Sequence, residues 1–423
     1  LSIIALVPLF FLPFCLRGFY PPKALLLQVL ALLLLATAAG AWLLRQDRSR
    51  TRPLRNLFPT TLHRAVLAFA LVAIIATALS LTPWTSLSGS INRRQGLFTI
   101  LSWVVVFFVL SRHLRTRAQV KRLVTVLLVT SGLISVIGIV EHYVPLFSTN
   151  VLGRSYSPRV SSMTGNALSL SAYLGMAIPL TLATGIVAYM RRATAHRTRA
   201  IIVSLATLLT VQLWCLVLSI YSFVILLYLL PAALFLALLA VFGLRRRIAT
   251  IGALALLAAV IVAGSAIVLP EWHNAVKGTA PYEPGTRLEQ GTYERLHGTL
   301  YGRARYWVYA VRVLPEAISN PQPGDHVSVL RPLIGYGPET YVITTQKHYP
   351  PEYRSASTSG ASFRDRPHNH FIYLATTTGL LGLGAFLVII GAFFVLLKRL
   401  LRSLCVMSSA GLFALAAGCG ITG

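Results

Sequence analysis

Long apolar runs separated by short clusters of arginine and lysine make up most of this chain. They fall at 1–16, 24–44, 65–83, 97–111, 123–143, 166–190, 200–219, 221–243, 249–269, 370–397 and 403–421. A helix of about 17–25 apolar residues covers the hydrocarbon core of a bilayer. Backbone polar groups cannot go unpaired there, so such runs are restricted to helices. The pattern therefore predicts an all-α polytopic integral membrane protein with about eleven transmembrane helices. Composition agrees: 56% of the 423 residues are hydrophobic and 12% are charged. About a quarter of a soluble domain is charged, which excludes that class. A net charge of +27 points to nucleic acid only where it gathers on one soluble surface. Here it lies between apolar runs, so the expected partner is the lipid bilayer and not nucleic acid. Cys15, Cys215, Cys405 and Cys419 all sit in apolar runs without metal-ligand spacing and read as small hydrophobes. The first run lacks the basic start and small-residue cleavage site of a signal peptide.

The basic clusters orient the chain. Arg45–Arg64, Arg112–Arg122, Arg191–Arg199, Arg245–Arg247 and Lys398–Arg402 occupy alternate connections and hold most of the cations. The opposite short connections hold Arg17, Lys23, Arg93, Arg94, Arg154 and Arg159. The positive-inside rule then places the N-terminus in the cytoplasm, with 17–23, 84–96, 144–165 and 270–368 outside. The expected organisation is a transmembrane unit over 1–269 (nine spans), a large and mostly helical extracytoplasmic loop domain over 270–368, and two further spans over 369–423. Within the large segment, 293–318 reads as a helix with Leu300, Ala304, Trp307, Val311 and Leu314 on one face. A turn region ends in Gly335-Tyr336-Gly337-Pro338. The Ser/Thr/Gly stretch Ser355–Ser362 reads as a mobile segment, either a plain surface loop or a gate.

Polar groups beside a membrane are functional candidates because they are costly there. The outer side offers Arg93, Arg94, Arg154, Arg159, Arg303, Arg305, His368 and His370, and Glu141 is the single acid of the apolar runs and the outer short connections. There is no DxD, HExxH or paired carboxylate beside the membrane, so no metal or other cofactor and no two-carboxylate glycosidase is expected. Arginines with few acids suit an anionic ligand gripped through the planar guanidinium fork; snorkelling to lipid headgroups is the alternative. His368 follows Pro367 at the start of a span, where the positive end of the helix dipole disfavours imidazolium. A neutral imidazole there can take a proton from an alcohol. His370 reads as about 200° further round the same helix, and so in a different role. Glu141-His142 reads as an interfacial cap with local hydrogen bonds. Gly335, Gly337 and Gly379 look like positions where the backbone turns or packs closely. Tyr336 and Tyr341 fit either a sugar-facing surface or interfacial anchoring.

Five segments carry a family resemblance. His368-Asn369-His370-Phe371-Ile372-Tyr373-Leu374, with Gly379-Leu380-Leu381-Gly382 after it, resembles the HN-x9-G-x-x-G signature of the O-antigen ligase and polymerase family. Gly89-Ser90-Ile91-Asn92-Arg93-Arg94-Gln95-Gly96 resembles its Gly-Ser-x-x-Arg-x-x-Gly segment, and Arg159-Val160-Ser161-Ser162-Met163-Thr164-Gly165-Asn166 its Arg-Val-x-Ser-x-x-Gly-Asn segment. Arg303-Ala304-Arg305-Tyr306-Trp307 is similar to its Arg-x-x-x-Trp helix, and Arg331–Pro338 to its Pro-Leu-x-Gly-x-Gly-Pro turn. The matches run in the family's order from about 85 to 385.

The resemblance implies a bacterial inner-membrane glycosyltransferase that moves a glycan from a polyprenyl-diphosphate carrier to an acceptor hydroxyl at the extracytoplasmic face. The acceptor is a glycan, a lipid or a protein, for a ligase, a polymerase or a protein O-oligosaccharyltransferase. Arg93, Arg159, Arg303 and Arg305 would hold the donor diphosphate, with Arg94 in support. His368 would be the general base, and Asn369 would orient His368 or the acceptor. The family's Ser-Arg-Gly is replaced here by Ser219-Ile220-Tyr221, and the Pro-Asn after its Gly-Asn by Ala167-Leu168. These departures leave open an inactive scaffold of an envelope-assembly complex. A transporter or flippase of an anionic lipid would use the same arginines without chemistry, with its charges near mid-membrane.

Overall fold

The computed structural model describes residues 1–15, 18–44, 60–153, 159–190, 196–219, 299–348 and 366–406. Among these residues the α-helices are α1 (Ser2–Leu9), α2 (Tyr20–Leu44), α3 (Thr61–Ala78), α4 (Pro83–Ser88), α5 (Leu97–His113), α6 (Arg117–Tyr143), α7 (Pro145–Asn150), α8 (Ala167–Met190), α9 (His196–Ser219), α10 (Thr299–Ser319), α11 (Arg331–Ile334), α12 (Tyr341–Thr345) and α13 (His370–Val406). No strand occurs among them. Six helices, α2, α3, α6, α8, α9 and α13, are long and apolar enough to cross a membrane. An 18-residue helix such as α3 rises about 27 Å, close to the thickness of the hydrocarbon core. Leu33, Ile75, Trp103, Val203 and Phe394 are exposed on these helices and on α5. The architecture is helical and compatible with a membrane protein. The expected spans over 221–243 and 249–269, and most of 403–421, lie outside the described residues, as do Ser355–Ser362 and Ile220.

Two groups of helices pack side by side. α6, α8 and α9 bury Ile134, Leu170, Leu174, Ile178, Cys215 and Leu216 in one apolar core. Gln212 ties that core together, donating to Ser131 Oγ at 2.8 Å and accepting from Thr181 Oγ1 at 2.9 Å. In hydrocarbon such bonds join helices that gain little from apolar contact alone. The second group packs α5 on α2 and α3, and α3 on α13; α1 touches both groups through α2 and α6.

Four expectations change. The first run forms only the eight residues of α1, about 12 Å long, because the chain is extended at Phe10 and turns at Pro13. The run at 370–397 is not one straight span. Gly379 has φ 68° and ψ −174°, and the rings of His370 and Phe386 lie 5.1 Å apart. In a straight helix they would be about 24 Å apart. The chain therefore folds back at Gly379, and a short first arm, 370–378, packs against the long second arm. The second arm continues helical through Lys398 and Arg399, which were expected in a connection.

The face of α10 is also rotated. Ala304, Val308, Ala310, Val313 and Ala317 are buried, whereas Val311 is 49% exposed. Alanines at three of the contacts let α10 approach the first arm of α13 and α11 closely. The described part of 270–368 thus packs on α13 through α10, α11 and α12.

Candidate active site

The first arm of α13 ends in Thr376-Thr377-Thr378, and the last carbonyls of a helix lack partners within it. Here Thr376 O accepts from the Tyr336 N–H at 3.1 Å and Thr377 O from the Gly337 N–H at 2.8 Å. The Gly335–Pro338 turn is therefore the cap of the arm. So close an approach needs glycine on both sides. Gly335 has φ 72°, and a Cβ there would run into the backbone of Thr377; a Cβ on Gly379 would run into the Leu333 carbonyl. The turn is pinned from below by Arg331, which is 1% exposed. Its Nη2 lies 2.8 Å from Asp325 Oδ1, its Nη1 donates to Gly335 O at 3.0 Å, and its guanidinium covers the Tyr336 ring at 4.9 Å. Burial, helped by the Asp325 carboxylate and opposed by Arg331, pushes the Tyr336 phenol up to about 12. Tyr336 is 1% exposed and the Tyr341 hydroxyl donates to Tyr306 O at 3.2 Å, so neither presents an open sugar-binding surface.

The arm begins at the histidine. Asn369 is its N-cap: Oδ1 accepts from the N–H groups of Phe371 at 3.0 Å and Ile372 at 3.2 Å. That oxygen is engaged in capping and not in orienting His368. His368 precedes the helix, so the 200° helical offset from His370 does not apply. His368 is exposed, with φ 54°. A non-glycine residue in this region costs about 1–3 kcal/mol and persists only where its surroundings hold it. They do so here. The Trp307 Nε1–H donates to Pro367 O at 2.7 Å, and Arg366 Nη2 reaches Glu339 Oε1 at 2.6 Å and Gln95 Oε1 at 2.5 Å. The Arg366 guanidinium also stacks over the Tyr373 ring at 4.7 Å.

Gln95 belongs to the loop carrying Arg93 and Arg94. Arg94 is held at φ 56°, and its carbonyl accepts from Thr99 Oγ1 at 2.7 Å. Arg93 places its guanidinium 5.2 Å from the centre of the Tyr20 ring. The Tyr20 hydroxyl shares a hydrogen bond of 3.1 Å with Ser169 Oγ, just past the 159–166 segment. That segment is fixed by Glu141, 1% exposed, whose Oε2 accepts from the N–H groups of Ser161 at 3.2 Å and Ser162 at 2.6 Å. Arg159 itself is exposed. Arg303 lies one helical turn before Trp307, on the same side of α10. Arg305 lies on α10 as well.

The 89–96 segment thus meets the His368 loop through Gln95 and the 303–307 segment meets it through Trp307, the 331–338 turn caps the far end of the same arm, and Tyr20 links Arg93 to Ser169 just past the 159–166 segment. The non-glycine residues with positive φ among the described ones are Arg94, Ser162, Glu339 and His368, each in or beside one of these segments. No group of three His, Cys, Asp or Glu side chains that would suit a metal gathers among the described residues. Glu339, Arg366, Gln95, Ser90 and the buried pair Asp325–Arg331 carry structural weight that the sequence reading assigned to none of them. The available signal was Glu339, an acid directly after the Gly-Tyr-Gly-Pro turn in a chain with 11 acids for 38 cations. Comparison with protein-family models, curated proteins and solved structures gives no match.

Proposed function

We propose that the chain is a metal-independent membrane glycosyltransferase resembling the O-antigen ligases. It would act at the extracytoplasmic face of a bacterial inner membrane on a glycan borne by a polyprenyl diphosphate. The observation that carries this reading is the exposed His368, held left-handed by contacts from the segments that also contain Arg93 and Arg303. An exposed imidazole on a loop bonded to a basic loop suits deprotonation of an alcohol next to an anionic leaving group. His368 takes the proton of the acceptor hydroxyl as its oxygen attacks the anomeric carbon. The bond from that carbon to the diphosphate oxygen breaks, with inversion. The charge growing on the diphosphate would be met by the guanidinium groups of Arg93, Arg159, Arg303 and Arg305. Holding donor and acceptor at one interface supplies much of the remaining rate. Ligase, polymerase and protein O-oligosaccharyltransferase share this chemistry and differ in acceptor.

The test is reconstitution with a polyprenyl-diphosphate glycan and candidate acceptors, comparing the parent with His368→Ala and Arg303→Ala. Product from the parent and little from either variant supports the assignment. Equal product from all three removes His368 and Arg303 from it, and no product from any favours a transporter or scaffold.

A further inference from the structure

Glu339 divides its carboxylate between two loops. Oε2 takes the Ser90 N–H at 3.4 Å and the Ser90 hydroxyl at 2.6 Å. Oε1 takes Arg366 Nη2 at 2.6 Å and the Tyr373 hydroxyl at 3.2 Å. The Glu339 N–H in turn donates to the Tyr373 oxygen at 3.1 Å. A carboxylate offers about four acceptor sites, and these four donors fill them. The side chain is 4% exposed. It is therefore ill placed to act as a base, yet it is bound on one side to the loop of Arg93 and on the other to the residue two before His368. Glu339 has φ 63°, so its own backbone is held strained in this position.

We propose that Glu339 is a positioning residue that sets the spacing between the loop of Arg93 and the loop of His368. The ligand served by that spacing is a lipid diphosphate, an inference that rests on the function proposed above. Each oxygen anchors one loop. Loosening the Oε2 side moves the diphosphate grip, and loosening the Oε1 side moves the base. Arg366 and Gln95 form a second bridge between the same loops, which makes their separation doubly determined.

The two sides can be tested apart. Loss of one hydrogen bond is worth about 0.5–1.5 kcal/mol, or roughly two- to tenfold in a binding or rate constant. Farnesyl diphosphate is the binding probe, and single-turnover transfer reports the chemical step. Ser90→Ala is expected to weaken farnesyl diphosphate binding by about fivefold with the transfer rate held within about twofold. Tyr373→Phe, which removes the hydroxyl donor to Oε1 and leaves the Arg366–Gln95 bridge intact, is expected to slow transfer about fivefold with binding nearly unchanged. Glu339→Gln, whose amide nitrogen cannot accept and whose carbonyl oxygen carries no full charge, weakens both sides and is expected to do both. A merely structural role would move binding and rate together in all three variants, and that pattern overturns the proposal.

A readout independent of activity separates this idea from the proposed function. Nitroxides on the exposed positions Ile91 and Phe371 report the separation of the loops. If the parent neither binds the probe nor transfers, the proposed function falls, while the nitroxide distances still decide the role of Glu339. A broader distribution in Glu339→Gln than in the parent supports it; an unchanged distribution overturns it.

Discussion

The indole of Trp307 donates its N–H to the carbonyl of Pro367 at 2.7 Å, sixty residues further along the chain. Pro367 precedes His368, and Arg303 stands one turn before Trp307, so this single bond ties the helix of a candidate phosphate-binding arginine to the candidate base. Trp307→Phe keeps an aromatic ring and removes the donor. A buried carbonyl left without its partner costs about 1–3 kcal/mol. The expected result is a loss of transfer rate of about tenfold or more, with a smaller change in thermal midpoint; an unchanged rate would show that the bond does not hold the histidine in place.

Gly379 is where the apolar run turns back, and alanine there meets both a left-handed φ and the Leu333 carbonyl. The backbone term is about 1–2 kcal/mol and overpacking adds about 1–3 kcal/mol. Gly379→Ala should lower the thermal midpoint in detergent by several degrees or prevent accumulation of folded protein. Gly384→Ala on the second arm meets nothing within 4 Å and should be neutral or slightly stabilising. Equal behaviour of the two variants would argue against the fold-back.

Asp325 and Arg331 form a buried pair, each side chain 1% exposed. Removing one partner leaves an unpaired buried charge, at a cost of about 3–5 kcal/mol. Asp325→Ala should destabilise strongly, and replacing both residues with apolar ones of similar size should recover much of the loss. A chemical-denaturation series of the two single variants and the double variant measures this.

The raised ionisation of Tyr336 makes a prediction about alkaline stability. Its folded value, about 12, lies above the ordinary value near 10, so the fold favours the neutral phenol. That contribution is complete below pH 10 and is lost as pH rises from 10 through 12. The parent should lose stability across this window more steeply than Tyr336→Phe, and equal slopes would contradict the assignment.

The helical class was legible because apolar runs of bilayer length admit little else. The glycines were legible too: a Gly-Tyr-Gly-Pro turn and an isolated Gly379 signal backbone geometry that side chains resist. The break at Gly379 was hidden because both arms are apolar, and hydropathy reads them as one run. The face of α10 was misjudged because its buried stripe uses alanines, whose small size suits a close partner but gives a weak apolar signal. Glu339 was hidden for another reason. Its partners Ser90 and Arg366 lie 249 residues before it and 27 after it, and no local spacing encodes such a junction.

His368 is the group proposed to take the acceptor proton. The most direct measurement is the single-turnover rate of glycan transfer from donor-loaded protein, with chelator present, for the parent and for His368→Ala across pH. General-base catalysis contributes about 10²–10⁴-fold. The prediction is a loss of that size in His368→Ala with donor affinity retained, and a parent rate that climbs as the imidazole loses its proton and then levels off. Equal rates for the two proteins, or the same pH profile in both, would contradict it.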